Sequence, residues 1–284
     1  MNTFLRLLRV QQYYKNLLVF LVPFFGGALL NMEFLPNLIL GFISLCMISS
    51  VNYIINDIRD LEKDRKNPEK KNRPIASGEI SVQLSLIIAL FLFILSLLIG
   101  YYIGLYFLLI VLGLFGLTLV YTFLFKEFVF MDVNFIAFNF LLRAISGTFI
   151  TGILASQWLL LISFFIAVYL ALSKRRAEMF ISNSEKQRKV LTKYSDKTLD
   201  GLLILSLGII FILFILYTFQ QYSTYYLATI PFVCYLMFRL YDITYTEPSI
   251  ARNIHRVLLK PEIVLVCLIV FTLFMLRIYS VKLI

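Results

Sequence analysis

The chain is short of the residue types that build most soluble catalytic and metal centres. It has one histidine, His255, so no histidine cluster can gather a metal, and that residue is expected in a loop or near a phosphate. Its three cysteines, Cys46, Cys234 and Cys267, lie in apolar runs without CxxC spacing. That excludes a thiolate metal site and a disulfide framework, and leaves them as small hydrophobes. Acidic side chains are outnumbered, 16 against 26 lysines and arginines, so any place where acids gather stands out. No low-complexity tract is present, and no convincing repeat relates the two long polar loops.

What fills the chain is apolar surface. Residues of hydrophobic type make up 61% of it, in long runs that recur from end to end. This is the composition of an integral membrane protein, for which the usual length-to-domain estimate does not apply. The formal charge of +10 could suggest a nucleic-acid partner. The cations, however, sit between the apolar runs, where membrane topology accounts for them, and no nucleic acid is expected.

The expected fold is all-α and polytopic, with nine spans: Leu17 to Leu30 (beginning nearer Val10), Leu38 to Ile55, Val82 to Leu98, Leu105 to Tyr121, Phe135 to Ile153, Trp158 to Leu172, Leu202 to Phe219, Tyr225 to Phe238 and Glu262 to Tyr279. The basic then apolar N-terminus resembles a signal peptide but lacks a small-residue cleavage site, so it is expected to persist as the first span. Charge supports the count. With the N-terminus inside, Arg6, Arg9 and Lys15, then Arg59 through Arg73, Lys126, Lys174 through Lys197, and Arg239 through Lys260 all fall on the inner side. The outer loops around Asn31, Gly100, Ser156 and Gln221 hold no lysine or arginine. One miscounted helix would put a basic loop outside. This places the protein in the cell membrane with its C-terminus external, Arg277 and Lys282 accompanying that end. Residues 1–284 are read as one transmembrane domain whose inner loops, about 56–80 and 173–200, form a polar cap.

The first of those loops carries the densest charge. If the second span continues as a helix, Asp57, Asp60 and Asp64 fall within about 60° of one another at roughly 100° per residue, with Arg59, Lys63 and Lys66 on the other side. Like-charge neighbours at this spacing cost about 0.2–0.5 kcal/mol each. The cost disappears if a divalent cation sits among the carboxylates, and hard oxygen ligands suit Mg²⁺ shared with substrate phosphates. A Mg²⁺-diphosphate site is one reading; a charged loop supplying topology signals is the other.

Five further constellations stand out, most of them open to two readings. At the mouth of the first span, Tyr13, Tyr14 and Lys15 suit interfacial anchoring, while Lys15 with Asn16 could equally bind a phosphate. Tyr121 and Lys126 close the fourth span as an anchor pair. Arg143 lies about 13 Å into the fifth span, at about nine residues of helical rise. An intramembrane arginine costs at least about 2.5–3.5 kcal/mol unless it faces a partner or a wet cavity. Either a structural network with Asn139, one turn away, or an anionic-ligand site would satisfy it, the latter being preferred. Lys174, Arg175 and Arg176, with Glu178 one turn on, begin the second long loop and suit either a phosphate-rich ligand or inner-face anchoring. Asp196 and Asp200 are a weak second acidic pair, explained comparably well by a helix N-terminus.

With Asn56-Asp57-x-x-Asp60-x-x-x-Asp64 at the inner end of the second of nine spans, the chain resembles the UbiA superfamily of intramembrane transferases over nearly its whole length. The resemblance implies a helical bundle with a lipid-open central cavity under a polar cap, and Mg²⁺-dependent chemistry on a diphosphate. Within the superfamily it is similar to the decaprenyl-phosphate phosphoribosyltransferases. That likeness rests on Gln12 through Asn16, on the acidic motif followed by Arg73-Pro74-Ile75-Ala76-x-Gly78, on Leu142-Arg143-Ala144-Ile145-x-Gly147, and on Lys174-Arg175 with Glu178. Val10 stands for the usual proline, Tyr13 for tryptophan and Arg176 for an aromatic. The implied reaction moves phosphoribose from 5-phosphoribosyl 1-diphosphate to a polyprenyl phosphate. Asp57, Asp60 and Asp64 would hold Mg²⁺, with Asn56 orienting the diphosphate. Asp57, Asp60 and Lys126 would be catalytic; Lys15, Asn16, Arg73, Tyr121, Arg143, Lys174, Arg175 and Glu178 would bind substrates. A prenyltransferase acting on an allylic diphosphate and a nonenzymatic transporter are the alternatives. Against the first stands the basic Lys174 stretch, where prenyltransferases carry a second strong aspartate motif.

Overall fold

The computed structural model describes residues 2–181, 193–220 and 224–280. The centre of the expected second inner loop, the expected outer loop around Gln221, and Lys282 lie outside the described residues. Every regular element among the described residues is helical. Eight of the helices are long and apolar enough to cross a membrane, and the chain is an integral membrane protein. Its Cα packing resolves two compact units. The first comprises Met1–Phe24, Ala28–Phe125 and Leu142–Leu154; the second comprises Phe25–Gly27, Lys126–Leu141 and Ala155–Ile284.

The first unit begins with α1 (Thr3–Leu8), whose N-cap Asn2 accepts from the Phe4 N–H. A 3₁₀ segment, Val10–Phe20, and the short α2 (Leu21–Phe25) follow. This is the expected first span, in a form that periodicity does not reveal. Eleven residues at about 2.0 Å and five at about 1.5 Å rise about 30 Å, the thickness of a bilayer core. Laid end to end, the two segments have the length that an α-helix needs about 20 residues to reach, although neither is by itself a helix long enough to cross.

The long α3 (Leu35–Arg59) is 61% buried over its apolar window, whereas α5 (Val82–Ile103) is 17% buried, so α3 forms the axis of this unit and α5 turns most of its surface toward lipid. Small polar residues let α3 pack closely: the Ser44 and Ser96 hydroxyls lie 3.0 Å apart, and each is placed to donate to the other's carbonyl at 3.0 Å. Between these helices, α3 stops at Asp60 (ψ 5°), and a new short helix, α4 (Leu61–Lys66), begins. The expected unbroken helical face is thus two helices, consistent with aspartate being a weak helix former. Asn67 is extended because Pro68 follows it. Gly78 adopts φ 81°, turning the chain toward Ser81, whose hydroxyl caps α5 by accepting from Leu84. Helix α6 (Leu105–Val120) ends in a π turn at Tyr121–Phe125. The Arg59 guanidinium donates to the Phe123 carbonyl of that turn at 3.3 Å and lies over its ring.

Helix α7 (Met131–Thr151) belongs to the second unit up to Leu141 and to the first from Leu142. The second unit continues with α8 (Gln157–Ile181), α9 (Asp196–Gln220), a 3₁₀ segment (Thr224–Thr229), α10 (Ile230–Thr246), the short α11 (Pro248–Ala251) and α12 (Ile254–Leu258), and α13 (Pro261–Ser280). Here the expected loop of 173–200 is corrected: Ser173 through Ile181 remain helical, and Asp196 opens the next helix. The Arg175–Glu178 pair, 3.1 Å apart at i,i+3, supports that extension. Buried Tyr169, Leu172, Leu199 and Leu203 join α8 to α9.

Candidate functional site

The acidic row is buried and interleaved with cations. Asp57, Asp60 and Asp64 are 4%, 8% and 2% exposed, far below what solvated loop carboxylates show. Arg73 bridges two of them, donating to Asp57 Oδ1 at 2.9 Å and to Asp64 Oδ2 at 2.5 Å. Lys70 stands 3.7 Å from Asp64, and Arg9 pairs with the same Asp57 oxygen as Arg73. The loop after α4 thus returns its cations onto the acids that precede it. Arg59, Lys63 and Lys66 are exposed, on the side expected. Asn56 is half-buried one residue before the row.

Arg9 comes from a segment that is tied down. Glu79 pairs with Arg6 and accepts from the Thr3 hydroxyl at 2.7 Å, while Arg6 also donates to the Asn72 carbonyl at 3.3 Å. Ser50 donates to the Leu8 carbonyl at 2.9 Å. Arg9 itself has φ 53° and ψ 46°, the left-handed conformation that ends α1. Residues with a Cβ adopt it at a cost and usually for a reason.

About two helical turns deeper, Asn16 and Arg143, which sequence reasoning singled out separately, meet. Arg143 Nε donates to Asn16 Oδ1 at 2.8 Å and its Nη2 to Ser49 Oγ at 3.3 Å; Ser49 also donates to Asn16 at 3.2 Å. Asn16 and Arg143 are 1% and 8% exposed, so the arginine is satisfied within protein rather than against lipid. Asn139, one turn before Arg143, donates to the Phe135 carbonyl of its own helix at 3.0 Å. Lys15, half-buried, hydrogen bonds the Tyr53 hydroxyl.

The second unit holds its own charged network. Arg175 is 2% exposed and donates to the wholly buried Asp132 at 2.8 Å and to Glu178 at 3.1 Å. Tyr194 donates to the other Asp132 oxygen at 2.8 Å and accepts from the Phe130 N–H at 2.9 Å. Burial first, and then the neighbouring Asp132 charge, raise the Tyr194 hydroxyl above its ordinary pKa, so it stays a donor. Arg176 holds Asp200 at 2.7 Å and Asp196 at 3.0 Å while stacking over Phe180 at 4.2 Å. The second acidic pair is therefore a salt bridge at a helix start. Lys126 and Lys174 are half-buried, as is Tyr121 in the first unit. Arg9, Ser49 and Tyr194 were not legible as partners, because nothing in their local sequence distinguishes them from other interfacial polar residues.

Residues 20–245 match the UbiA prenyltransferase family. The chain belongs to the UbiA prenyltransferase family. It is 32% identical to the decaprenyl-phosphate phosphoribosyltransferase of Corynebacterium glutamicum, over 80% of this chain and 73% of that one. It is 28% identical to the enzyme of the same name from Mycolicibacterium smegmatis, over 91% and 86%. A UbiA homolog from Archaeoglobus fulgidus, solved bound to DMAPP and Mg²⁺, superposes with a TM-score of 0.71 at 21% identity, covering 99% of this chain and 100% of that one.

In this UbiA chain, no group of three His, Cys, Asp or Glu residues among those described is gathered closely enough to cage a metal alone. Mg²⁺ does not require such a cage, since one or two carboxylates plus substrate phosphates suffice. Asp57, Asp60 and Asp64 are hard oxygen donors held out of bulk water, so the donor set fits a phosphate-bound Mg²⁺ and not a stand-alone metal centre.

Proposed function

We propose that the chain transfers phosphoribose from 5-phosphoribosyl 1-diphosphate to a polyprenyl phosphate, releasing diphosphate. The observation that carries this reading is the Asp57–Arg73–Asp64 bridge, which puts carboxylates for a divalent cation and a guanidinium fork for a phosphate on one spot. The names of the relatives supply the donor and acceptor.

Asp57, Asp60 and Asp64 would hold Mg²⁺, which when bound supplies neutralisation of the leaving diphosphate. Asn56 offers an amide to orient that group. Arg73, held at a fixed angle by two carboxylates, presents its remaining N–H donors to phosphate oxygens. Asn16 of the first span, hydrogen-bonded to Arg143 of α7, and Lys15 beside it in sequence offer polar groups suited to a phosphate head group. In the second unit, Lys126 and Lys174 are half-buried cations of the kind that recruit phosphate, and Arg175 with Glu178 stiffens the helix that carries Lys174. The acceptor phosphate is already anionic at neutral pH, so none of these residues has to act as a general base. The same charge distribution supports placement in the cell membrane with the N-terminus and the acidic row on the cytosolic side and the C-terminus outside.

Prenyl transfer is the second reading. It is disfavoured by Asp196 and Asp200, which are engaged by Arg176 rather than standing as a second acidic motif. The deciding assay offers the purified protein, with Mg²⁺, phosphoribosyl diphosphate and polyprenyl phosphate, and separately a prenyl diphosphate with an aromatic acid. Product mass identifies the reaction. Asp57→Asn and Asp60→Asn should each lower turnover about 100-fold or more, about 2.7 kcal/mol or more of transition-state stabilisation. Activity in the second assay alone would overturn the proposal.

A further inference from the structure

We infer that Arg9 is a positioning residue of the acidic row: it holds Asp57, and would pass to diphosphate when a divalent cation takes that carboxylate. The inference rests on the Mg²⁺-diphosphate reading above and names a residue outside the recognised acidic motif.

Three observations carry it. First, a single oxygen, Asp57 Oδ1, accepts from both Arg9 and Arg73, and Arg73 has a second carboxylate in Asp64 while also bridging the row. Arg9 is therefore the guanidinium that can leave without breaking the Asp57–Arg73–Asp64 bridge. Second, Arg9 sits at φ 53°, where glycine would be unstrained, so the backbone at this position does not favour arginine and the side chain must account for it. Third, its side chain is 22% exposed, against 5% for Asp57, and its guanidinium lies 4.8 Å over the Tyr53 ring. That ring offers the cation a resting place beside the row. The backbone on which Arg9 turns is fixed by Arg6 to Asn72 and Glu79, in the same loop that carries Arg73.

With a divalent cation held at Asp57, the Arg9 guanidinium would be repelled and would have to give up that carboxylate with no new anion to receive it. Diphosphate supplies that anion, and guanidinium pairs with phosphate in the same bidentate manner as with carboxylate. Metal and diphosphate should therefore bind cooperatively, each raising the affinity of the other by one shared factor. Removing the Arg9 side chain should tighten metal binding alone and weaken diphosphate binding, two opposite shifts that a purely structural role cannot produce.

The test measures Mn²⁺ binding to the full chain in detergent by electron paramagnetic resonance, with and without inorganic pyrophosphate. Wild type, Arg9→Gly and Arg9→Lys are compared, the glycine variant suiting the backbone and the lysine variant keeping the charge. Arg9→Gly is expected to bind Mn²⁺ alone about fivefold to tenfold more tightly and pyrophosphate with Mn²⁺ about tenfold more weakly, with Arg9→Lys between. Parallel weakening of both, or no change in either, overturns the assignment of Arg9. A wild-type protein that binds neither probe overturns the underlying diphosphate reading as well. Pyrophosphate is released in phosphoribosyl and prenyl transfer alike, so the outcome does not depend on which group is moved.

Discussion

Gly147 shows how one hydrogen in place of a methyl can decide a helix crossing. A Cβ there would lie 2.2 Å from the Val19 carbonyl oxygen and 2.7 Å from Pro23 Cδ, and neither backbone nor ring can turn aside. Pro23 has no N–H to give the Val19 carbonyl at i+4, and glycine allows α7 to press against that stretch. Gly147→Ala should destabilise by about 1–3 kcal/mol or more, read as a lower melting temperature in detergent. Gly116→Ala, with nothing within 4 Å, should be neutral or slightly stabilising. The motif Leu142–Gly147 was visible in the sequence, but not that its arginine would find Asn16, 127 residues away.

At the scale of elements, the N-terminal strap makes a pH prediction. The Thr3 hydroxyl first, and Arg6 next, hold the Glu79 carboxyl below its ordinary value of 4.5. A depressed carboxylate pKa contributes stability that is present above the unfolded value and is lost as pH falls through the folded one. The melting-temperature difference between wild type and Glu79→Gln should therefore be constant above about pH 5 and close progressively below about pH 4.5. A difference independent of pH would show that the carboxylate charge does not hold the strap. Element identity was largely legible, because apolar runs of bilayer length have few alternatives. The end of α8 was not. Ser173 through Ile181 is polar enough to pass for a loop, yet it stays helical through pairs such as Arg175–Glu178 and the burial of Arg175 against Asp132. The 3₁₀ form of the first span was equally hidden, since hydropathy measures length in residues and not in ångströms.

For the whole molecule, the charge distribution predicts which loops face the cytosol. In a background with Cys46, Cys234 and Cys267 replaced by alanine, Glu69→Cys should resist a membrane-impermeant maleimide in intact cells. Leu154→Cys, whose site is 88% exposed in a loop proposed to face outward, should react. The reverse pattern would invert the proposed orientation. What the chain determined by itself is its membrane character, the positions of its spans and the row of acids after the second. These follow from transfer energies and charge, summed locally along the sequence. Only the tertiary structure decided the pairings: Arg9 and Arg73 with Asp57, Arg143 with Asn16, Arg175 with Asp132, and Arg176 with Asp200. Arginines at a membrane boundary are alike in sequence, and which anion each one meets depends on how distant helices pack.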